Sequence, residues 1–253
     1  MHKLKLVYVY LSRFKKRNAM QRTHLECQMC DSHTISFLKD CSPEQREKIS
    51  QVKTCSHYKK GENIFYEGNI PLGIYCISKG IVKLVRTNHD GKEQILRFAQ
   101  TGEFLGYRAL IADEPLVSTA VCVEDTISCF IPRKAFIDLL DENPHISKSL
   151  LKALSHELGV VEERVQSLAQ KSVRERLAET LLFLQSTFSS EQNEDVISIT
   201  LPREDIANIV GTATETVIRL LSDFKSDKLI ELEGKKIRIL NKKGLEKISH
   251  ASV

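Results

Sequence analysis

The stretch that decides the fold is residues 203–221, which read REDIANIVGTATETVIRLL. Apolar residues recur at helical spacing on both sides of Gly211, and glycine readily adopts the left-handed conformation that ends a helix. The pattern predicts two short helices, at 202–210 and 214–225, joined by a tight turn. The residues placed to pack these helices together are Ile206, Ala207, Val210, Val217, Leu220 and Leu221. This is the frame of a helix-turn-helix, whose second helix enters the major groove of DNA.

The second predicted helix and its surroundings carry the side chains expected to contact DNA. Arginine suits O6 and N7 of guanine, and glutamate can accept from N4 of cytosine. The outward positions expected to discriminate bases are Thr214, Glu215, Ile218 and Arg219. Phosphate contacts are expected from Arg203, Thr216, Lys235 and Lys236, with Lys225, Lys228 and Arg238 nearby. The alternative, two ordinary helices with a solvated charged face, is disfavoured by a predicted β-hairpin wing formed by residues 229–232 and 237–240.

The composition excludes several classes of protein. The chain has 253 residues, 42% apolar and 28% charged, so it can form a core and is not disordered throughout. No apolar run approaches the roughly 20 residues that cross a bilayer. Residues 1–26 carry seven Lys or Arg and one Glu, whereas the remainder carries 30 basic and 32 acidic residues. We therefore expect a cytoplasmic protein without a membrane partner, and its net charge gives no argument for nucleic acid.

Between about residues 56 and 132 the sequence consists of short β-rich runs separated by glycines. The runs are 63–66, 73–77, 81–86, 94–98 and 119–131. Asp90-Gly91 lies between two of these runs and predicts a hairpin with a type I′ turn. Many short strands with glycine turns favour a sandwich or barrel, so an all-β domain is predicted here.

A helical period follows Asn143-Pro144. Apolar residues then recur at alternating spacings of three and four, like the a and d positions of a coiled coil. They are Leu151, Leu154, Leu158, Val161, Val165 and Leu168. A helix packed on its own β domain is one interpretation, but so regular a seam favours pairing with a second copy. We expect a homodimer, followed by an amphipathic helix at 171–188 and a strand at 196–200.

These features resemble the cyclic-AMP receptor protein and fumarate–nitrate regulator (Crp–Fnr) family of bacterial transcription factors, over about residues 35–245. The motifs that carry the resemblance are Lys60-Gly61-Glu62, Ser78-Lys79-Gly80, Gly102-Glu103-Phe104-Leu105-Gly106, Val210-Gly211 and Thr214-Glu215-Thr216-Val217-Ile218-Arg219. The resemblance implies an α+β protein with a jelly-roll-like β-roll of the cyclic-nucleotide-binding type, a long dimerisation helix and a winged helix-turn-helix. The expected domains are an arm at 1–34, a sensor at 35–140, the dimerisation helix at 141–170 and a DNA-binding domain at 171–247.

The resemblance also implies a function. A family member binds a twofold-symmetric site in double-stranded DNA as a homodimer, reads bases through the positions of Glu215 and Arg219, and takes RNA polymerase as a further partner. The alternative is a cyclic-nucleotide-type signalling module that acts on a protein partner. Such a module needs a phosphate-binding arginine, which this sequence lacks at the expected position. An enzyme is not expected, because the sequence contains no recognisable catalytic motif.

The signal is predicted less directly. Members that bind cyclic AMP place a carboxylate after the Phe-x-Gly turn and an Arg-Ser or Arg-Thr pair about ten residues later, whereas this chain has Tyr107 and Val117-Ser118. A phosphate buried without its arginine costs several kcal/mol, so cyclic AMP is not expected, and another anion or no ligand remains open. The expected effector pocket comprises Gly106, Tyr107, Arg108, Ser118 and Thr119.

The cysteines predict a second kind of sensor. In the Fnr branch, an N-terminal cysteine group and one central cysteine hold a [4Fe–4S] cluster, and Cys27, Cys30, Cys41 and Cys129 are the candidate ligands. Cys41 follows Cys30 at a longer spacing than the family has, and it also precedes a predicted helix that it can cap. The alternatives are a zinc site with His24, His33 or His57, or buried apolar cysteines at 55, 76, 122 and 129. The odd total of seven cysteines argues against a disulfide framework.

Overall fold

The computed structural model describes residues 22–23, 30, 37–188, 196–197 and 199–250. The chain divides into two compact units, Met1–Leu84 with Phe98–Leu150, and Val85–Arg97 with Leu151–Val253. This division differs from the expected domains, because residues 85–97 belong to the second unit and the dimerisation region is divided at residue 150. No helix in the described part of the chain is long and apolar enough to cross a membrane.

The β-roll is built on two sheets, in which most neighbouring strands are distant in the chain, and residues 85–97 of it belong to the second unit. In chain order the strands are β1 (Arg22–Thr23), β2 (Thr54–Tyr58), β3 (Asn63–Phe65), β4 (Gly73–Lys79), β5 (Val82–Thr87), β6 (Glu93–Ala99), β7 (Phe104–Leu105), β8 (Thr119–Cys122) and β9 (Thr126–Pro132). One sheet has the order β1-β2-β9-β4-β7 and the other has the order β3-β8-β5-β6. Strand β9 pairs antiparallel with both β2 and β4, which confirms the predicted β-roll.

One apolar cluster joins the two sheets. Buried and less buried positions alternate along β8, because successive side chains of a strand point to opposite faces, whereas β4 and β9 also contain consecutive buried residues. Each fully buried Leu, Ile or Phe contributes roughly 1.5–3 kcal/mol relative to exposure. The members of the cluster are Ile64, Phe65, Ile77, Val82, Leu84, Ala99, Leu105, Ala109, Leu116, Ala120 and Cys122.

The hairpin between β5 and β6 is confirmed, but its predicted turn type is wrong. The carbonyl of Asn88 accepts from the N–H of Gly91 at 3.0 Å, and the N–H of Asn88 donates to Lys92 O at 3.0 Å. Gly91 has a φ of +77°, whereas Asp90 does not have the positive φ that a type I′ turn requires. The loop is longer than two residues, since the backbone bond that closes it joins Asn88 to Lys92. The side chain of Asn88 stabilises the loop by accepting from the N–H groups of Asp90 and Lys92.

The helices of the first unit and the long helix are α1 (Pro43–Val52), α2 (Tyr107–Ile111), α3 (Arg133–Glu142) and α4 (Pro144–Gln170). Helix α1 begins with a capping box, in which Gln45 N–H donates to Ser42 Oγ and Ser42 N–H donates to Gln45 Oε1. The cap is thus Ser42 rather than Cys41, whose side chain is buried. Helix α4 begins at Pro144. An N–H group at this first helical position would have no acceptor within the helix, so proline loses no hydrogen bond there.

The second unit contains the predicted helix-turn-helix. Its remaining elements are α5 (Val173–Phe188), β10 (Val196–Ile197), α6 (Arg203–Val210), α7 (Thr214–Ser226), β11 (Ile230–Glu233), β12 (Lys236–Ile239) and α8 (Lys242–Ser249). Gly211 ends α6 in the left-handed conformation, with a φ of +73°, as predicted. The wing is the β11–β12 hairpin, whose sheet has the order β10-β12-β11. Helix α8 was not predicted, although Asn241 caps it by accepting from Gly244 N–H at 2.8 Å.

Candidate DNA-binding interface and sensor domain

Helix α7 has one buried and one exposed face. The buried face, formed by Val217, Leu220, Leu221 and Phe224, packs in the second unit together with the buried Ile206, Ala207 and Val210 of α6. Glu215, Ile218 and Arg219 are exposed on the other face, whereas Thr214 and Thr216 are half-buried. The Nη1 of Arg219 lies 3.8 Å from Asp223 Oδ2, too far for a hydrogen bond, and its side chain is 68% exposed. The exposed face of α7 therefore carries the cation Arg219 and the carboxylate Glu215. In a helix-turn-helix, this is the face that meets base edges.

The start of α7 has backbone N–H groups that are not capped by a side chain. Its N-cap residue is Ala213, which has no side-chain oxygen for the first N–H groups of the helix. Such N–H groups, together with the positive end of the helix dipole, favour a phosphate. Ile218, 53% exposed, is an apolar side chain of the kind that contacts the methyl group of thymine.

The basic residues of the wing fall into two groups. Lys235 and Lys236 are exposed, as phosphate contacts require. Arg238 lies near Glu231 and Glu233, at 3.7 and 3.4 Å. Arg203 is half-buried and donates from Nη2 to Gly234 O at 3.0 Å, and its burial lowers its pKa. Arg203 therefore joins the start of α6 to the wing turn.

The predicted dimer seam is exposed along α4. Five of its six residues have large exposed side chains, and Leu154 is half-buried. The exposed ones are Leu151 64%, Leu158 59%, Val161 55%, Val165 61% and Leu168 45%. A continuous apolar stripe of this kind is normally covered by a partner surface.

The predicted effector residues lie around α2 and β8. Gly106 precedes α2 with a φ of +83°, Tyr107 is buried, and Arg108 pairs with Glu114 at 3.0 Å on the exposed surface. Ser118 is buried, and Thr119 Oγ1 accepts from the N–H of Glu67 at 3.0 Å. Among the described residues no lysine or arginine is fully buried.

Two family models match the chain, the "Cyclic nucleotide-binding domain" over residues 55–143 and the "Crp-like helix-turn-helix domain" over residues 175–248. The "Fumarate and nitrate reduction regulatory protein" of Vibrio cholerae is 27% identical over 230 residues, which are 90% of this chain and 92% of that protein. The "Transcriptional activator protein anr" of Pseudomonas aeruginosa is 28% identical over 229 residues, 89% of this chain and 92% of that protein. The chain belongs to the Crp–Fnr family.

The fold agrees with this assignment. The structure of FixK2 from Bradyrhizobium japonicum aligns with a TM-score of 0.70 and 24% identity, covering 80% of this chain and all of that chain. As a Crp–Fnr family member the protein is a DNA-binding transcription regulator and not an enzyme, as the sequence predicted. The Crp-like helix-turn-helix also disfavours the alternative of a signalling module that acts only on a protein partner.

The cysteines of this Crp–Fnr member are arranged differently from the prediction. Cys55 and Cys129 lie directly opposite each other on the antiparallel strands β2 and β9, and they form a disulfide. The argument from the odd cysteine count was wrong for this pair. Cys129 was predicted as a metal ligand, and this is corrected, because its sulfur is bonded to that of Cys55.

The other candidate ligands lie partly outside the described residues. Cys27, His24 and His33 lie outside the described residues, whereas Cys30 shares a 3.1 Å hydrogen bond with Ser78 Oγ. Within the described part of the chain no group of three or more His, Cys, Asp or Glu side chains is placed to hold a metal. The residues present do not fit an iron–sulfur cluster held by Cys129.

Two cysteines follow the apolar interpretation. Cys76 and Cys122 are buried in strands β4 and β8. Burial raises the pKa of Cys122 to about 11, because the thiolate would lose its hydration inside the β-roll. Cys122 is therefore a neutral thiol near neutral pH and fills space in the core.

The prediction from sequence missed three side chains that contact the end of α6. Gln94, Arg164 and Arg176 donate to carbonyls at the turn of the helix-turn-helix. No local pattern identifies them, because each contacts residues at least 34 positions away in the chain. The sequence offered one signal, which is that Arg164 is a charged residue next to the a/d seam of α4.

Proposed function

We propose that the protein binds a twofold-symmetric operator as a homodimer, with one α7 in the major groove at each half-site. The observation that carries this proposal is the exposure of Glu215, Ile218 and Arg219 on a helix whose opposite face is buried. Arg219 would donate two hydrogen bonds to a guanine, and Glu215 would accept from a cytosine. Thr214 and Ile218 would complete the base contacts.

The phosphate contacts of the proposal come from the surroundings of α7. Lys235 and Lys236 on the wing and Thr216 on α7 supply a cationic and hydrogen-bonding rim. Arg203 contributes in a second way, since its Nη2 donates to Gly234 O and holds the wing turn. These contacts set the register of α7 on DNA and carry no sequence information themselves.

The dimer of the proposal forms along the exposed a/d stripe of α4. Two copies that pair through this helix relate their α7 helices by a twofold axis, which matches a palindromic site. The half-sites of helix-turn-helix dimers are spaced by one helical turn of DNA, about 34–36 Å. RNA polymerase is the expected further partner at the promoter.

The proposed sensor is the β-roll, and its signal is not cyclic AMP. At the position of the ribose-binding carboxylate stands Tyr107, which is buried and has no carboxylate. At the position of the phosphate-binding arginine stands Val117, so a cyclic phosphate would have no cationic partner there. Without that cation, we expect an effector with less negative charge than a cyclic nucleotide. Its expected pocket comprises Gly106, Tyr107, Arg108, Ser118 and Thr119.

The test is selection of binding sites from a random duplex library by the full-length protein at fixed salt. The expected result is one palindromic consensus with half-sites about one helical turn apart, bound by a protein that sedimentation shows to be a dimer. Titration calorimetry with cyclic AMP is expected to show no heat of binding. Enrichment of no sequence, or of an asymmetric one by a monomer, would contradict the proposal.

A further inference from the structure

The end of helix α6 is held by side chains from three other elements. The last carbonyls of a helix have no intrahelical partner and must find other donors. Here Gln94 Nε2 donates to Asn208 O, and Arg164 Nη2 donates to Ile209 O at 3.0 Å. Arg176 donates from Nε to Val210 O at 3.0 Å and from Nη2 to Gly211 O at 3.4 Å. The turn of the helix-turn-helix is thus fixed from outside the motif.

Arg164 has a wider reach than the other two side chains. Its Nη1 donates to Leu96 O at 2.6 Å, and its Nη2 also donates to Ile95 O at 2.7 Å. One guanidinium on α4 therefore binds two carbonyls of strand β6 and one carbonyl of α6. All of these residues belong to the second unit. Burial lowers the pKa of Arg164, but an arginine remains protonated at physiological pH, so these are charge-assisted hydrogen bonds.

The geometry uses the properties of arginine rather than those of any cation. The planar guanidinium has five N–H donors in a fixed fork, whereas a lysine ammonium is a compact charge that holds fewer directed contacts. A positive charge at the carboxyl end of α6 also interacts favourably with the helix dipole. Arg97 and Glu157, 3.5 Å apart, add a second link between β6 and α4.

We propose that Arg164 is a positioning residue for DNA recognition. Its guanidinium is bound to carbonyls of β6 and α6 and so holds α6 against β6 and α4, and α6 fixes α7 through the Gly211 turn and the shared core. Loss of the fork would let the helix-turn-helix reorient without unfolding it. This inference rests on the proposed function, because it explains how α7 is aimed at the operator.

The test uses full-length protein and the operator obtained by selection. We expect Arg164→Gln to lower operator affinity at least tenfold while affinity for a scrambled duplex changes less than twofold. Arg164→Lys keeps the charge and is expected to recover only part of the operator affinity. Lys152→Gln is the matched control, since it removes an exposed cation at a b position of the same helix. Sedimentation measures the dimer of each variant in parallel.

The outcomes separate this inference from the proposed function. Wild-type protein that selects no operator contradicts the proposed function itself. Arg164→Gln with wild-type operator affinity, with equal losses on both duplexes, or with a dissociated dimer overturns the positioning role. Should Arg164→Gln not fold, Gln94→Ala removes a neighbouring donor to α6 and is expected to lower the ratio of operator to scrambled affinity. An unchanged ratio in Gln94→Ala would then reject the inference.

Discussion

Arg219 lies in the first half of α7, whereas Lys225, which is also exposed on this helix, lies in its last turn, and the N-terminal residues of a recognition helix are the ones that contact base edges. We expect Arg219→Ala to cost about 1–3 kcal/mol of operator binding and to relax specificity at one base pair in each half-site. Lys225→Ala is the control, because an exposed lysine that touches phosphate weakens binding to all sequences alike. The measurement is binding to a panel of operators substituted one position at a time. Equal loss on every operator would show that Arg219 touches only phosphate.

Two tyrosines make the β-roll sensitive to alkaline pH. Burial raises the pKa of Tyr58 to about 12 and also raises that of Tyr75, because a phenolate packed against the apolar cluster loses part of its hydration. An unfolded tyrosine has a pKa of about 10, so the folded state favours the neutral phenol. The resulting stability is complete below about pH 10 and is lost as the pH rises towards 12.

Replacing Tyr58 tests this expectation. In urea unfolding, the midpoint of the wild type is expected to fall between about pH 10 and pH 12, and Tyr58→Phe is expected to make that fall smaller. Tyr66→Phe is the control, since the ring of Tyr66 is 58% exposed and should not change the profile. A Tyr58→Phe profile parallel to the wild type would mean that other groups cause the alkaline loss.

At the scale of elements, the sequence predicts what local periodicity controls. The two helices of residues 203–226 and the β5–β6 hairpin lie within a residue or two of their predicted positions. Long-range pairing was not predictable, because the register that sets Cys55 opposite Cys129 joins strands 74 residues apart. Helix α8 was missed because it is only eight residues long and contains a glycine, Gly244, which disfavours a helix prediction. The side-chain donors at the end of α6 were missed for the same reason as the disulfide.

Helix α4 offers a test of the dimer at this scale. Leu158 occupies an a position and is 59% exposed in one protomer, so changing it should not unfold the chain. We expect Leu158→Glu to raise the dimer dissociation constant at least tenfold, because two carboxylates would be buried opposite each other without partners. Lys152→Glu, at a b position on the same helix, is expected to leave the dimer unchanged. Sedimentation velocity at several concentrations measures both; a stable Leu158→Glu dimer would place the interface elsewhere.

The disulfide between Cys55 and Cys129 links strands β2 and β9, whose cysteines are 74 residues apart in the sequence. Linking residues 74 positions apart restricts the unfolded chain, which predicts a stability contribution of about 2–4 kcal/mol. Peptide mapping without reductant should therefore recover Cys55 joined to Cys129. Reductant is expected to lower the urea midpoint of the wild type and to leave Cys55→Ser unaffected. Equal midpoints with and without reductant, in protein whose bond is intact, would contradict this.

At the scale of the whole molecule, the charge distribution places the attraction for DNA locally. Apart from the basic residues 1–26, the chain has slightly more acidic than basic residues, so no general positive field draws DNA to it. The wing lysines Lys235 and Lys236 are exposed and belong to the second unit, as α7 does. Their contribution to binding should therefore appear as counterion release.

The salt dependence of binding measures this contribution. Each phosphate contact adds about 0.9 to the slope of log affinity against log salt, and a dimer makes every contact twice. Lys236→Gln is therefore expected to reduce the magnitude of that slope by about two, and to weaken operator and scrambled duplex alike. Lys59→Gln, in the β-roll, is the control, because Lys59 is paired with Asp125 at 2.7 Å. A slope that Lys236→Gln leaves unchanged would remove Lys236 from the phosphate contacts and leave Lys235, Arg203 and Thr216 to set the register of α7.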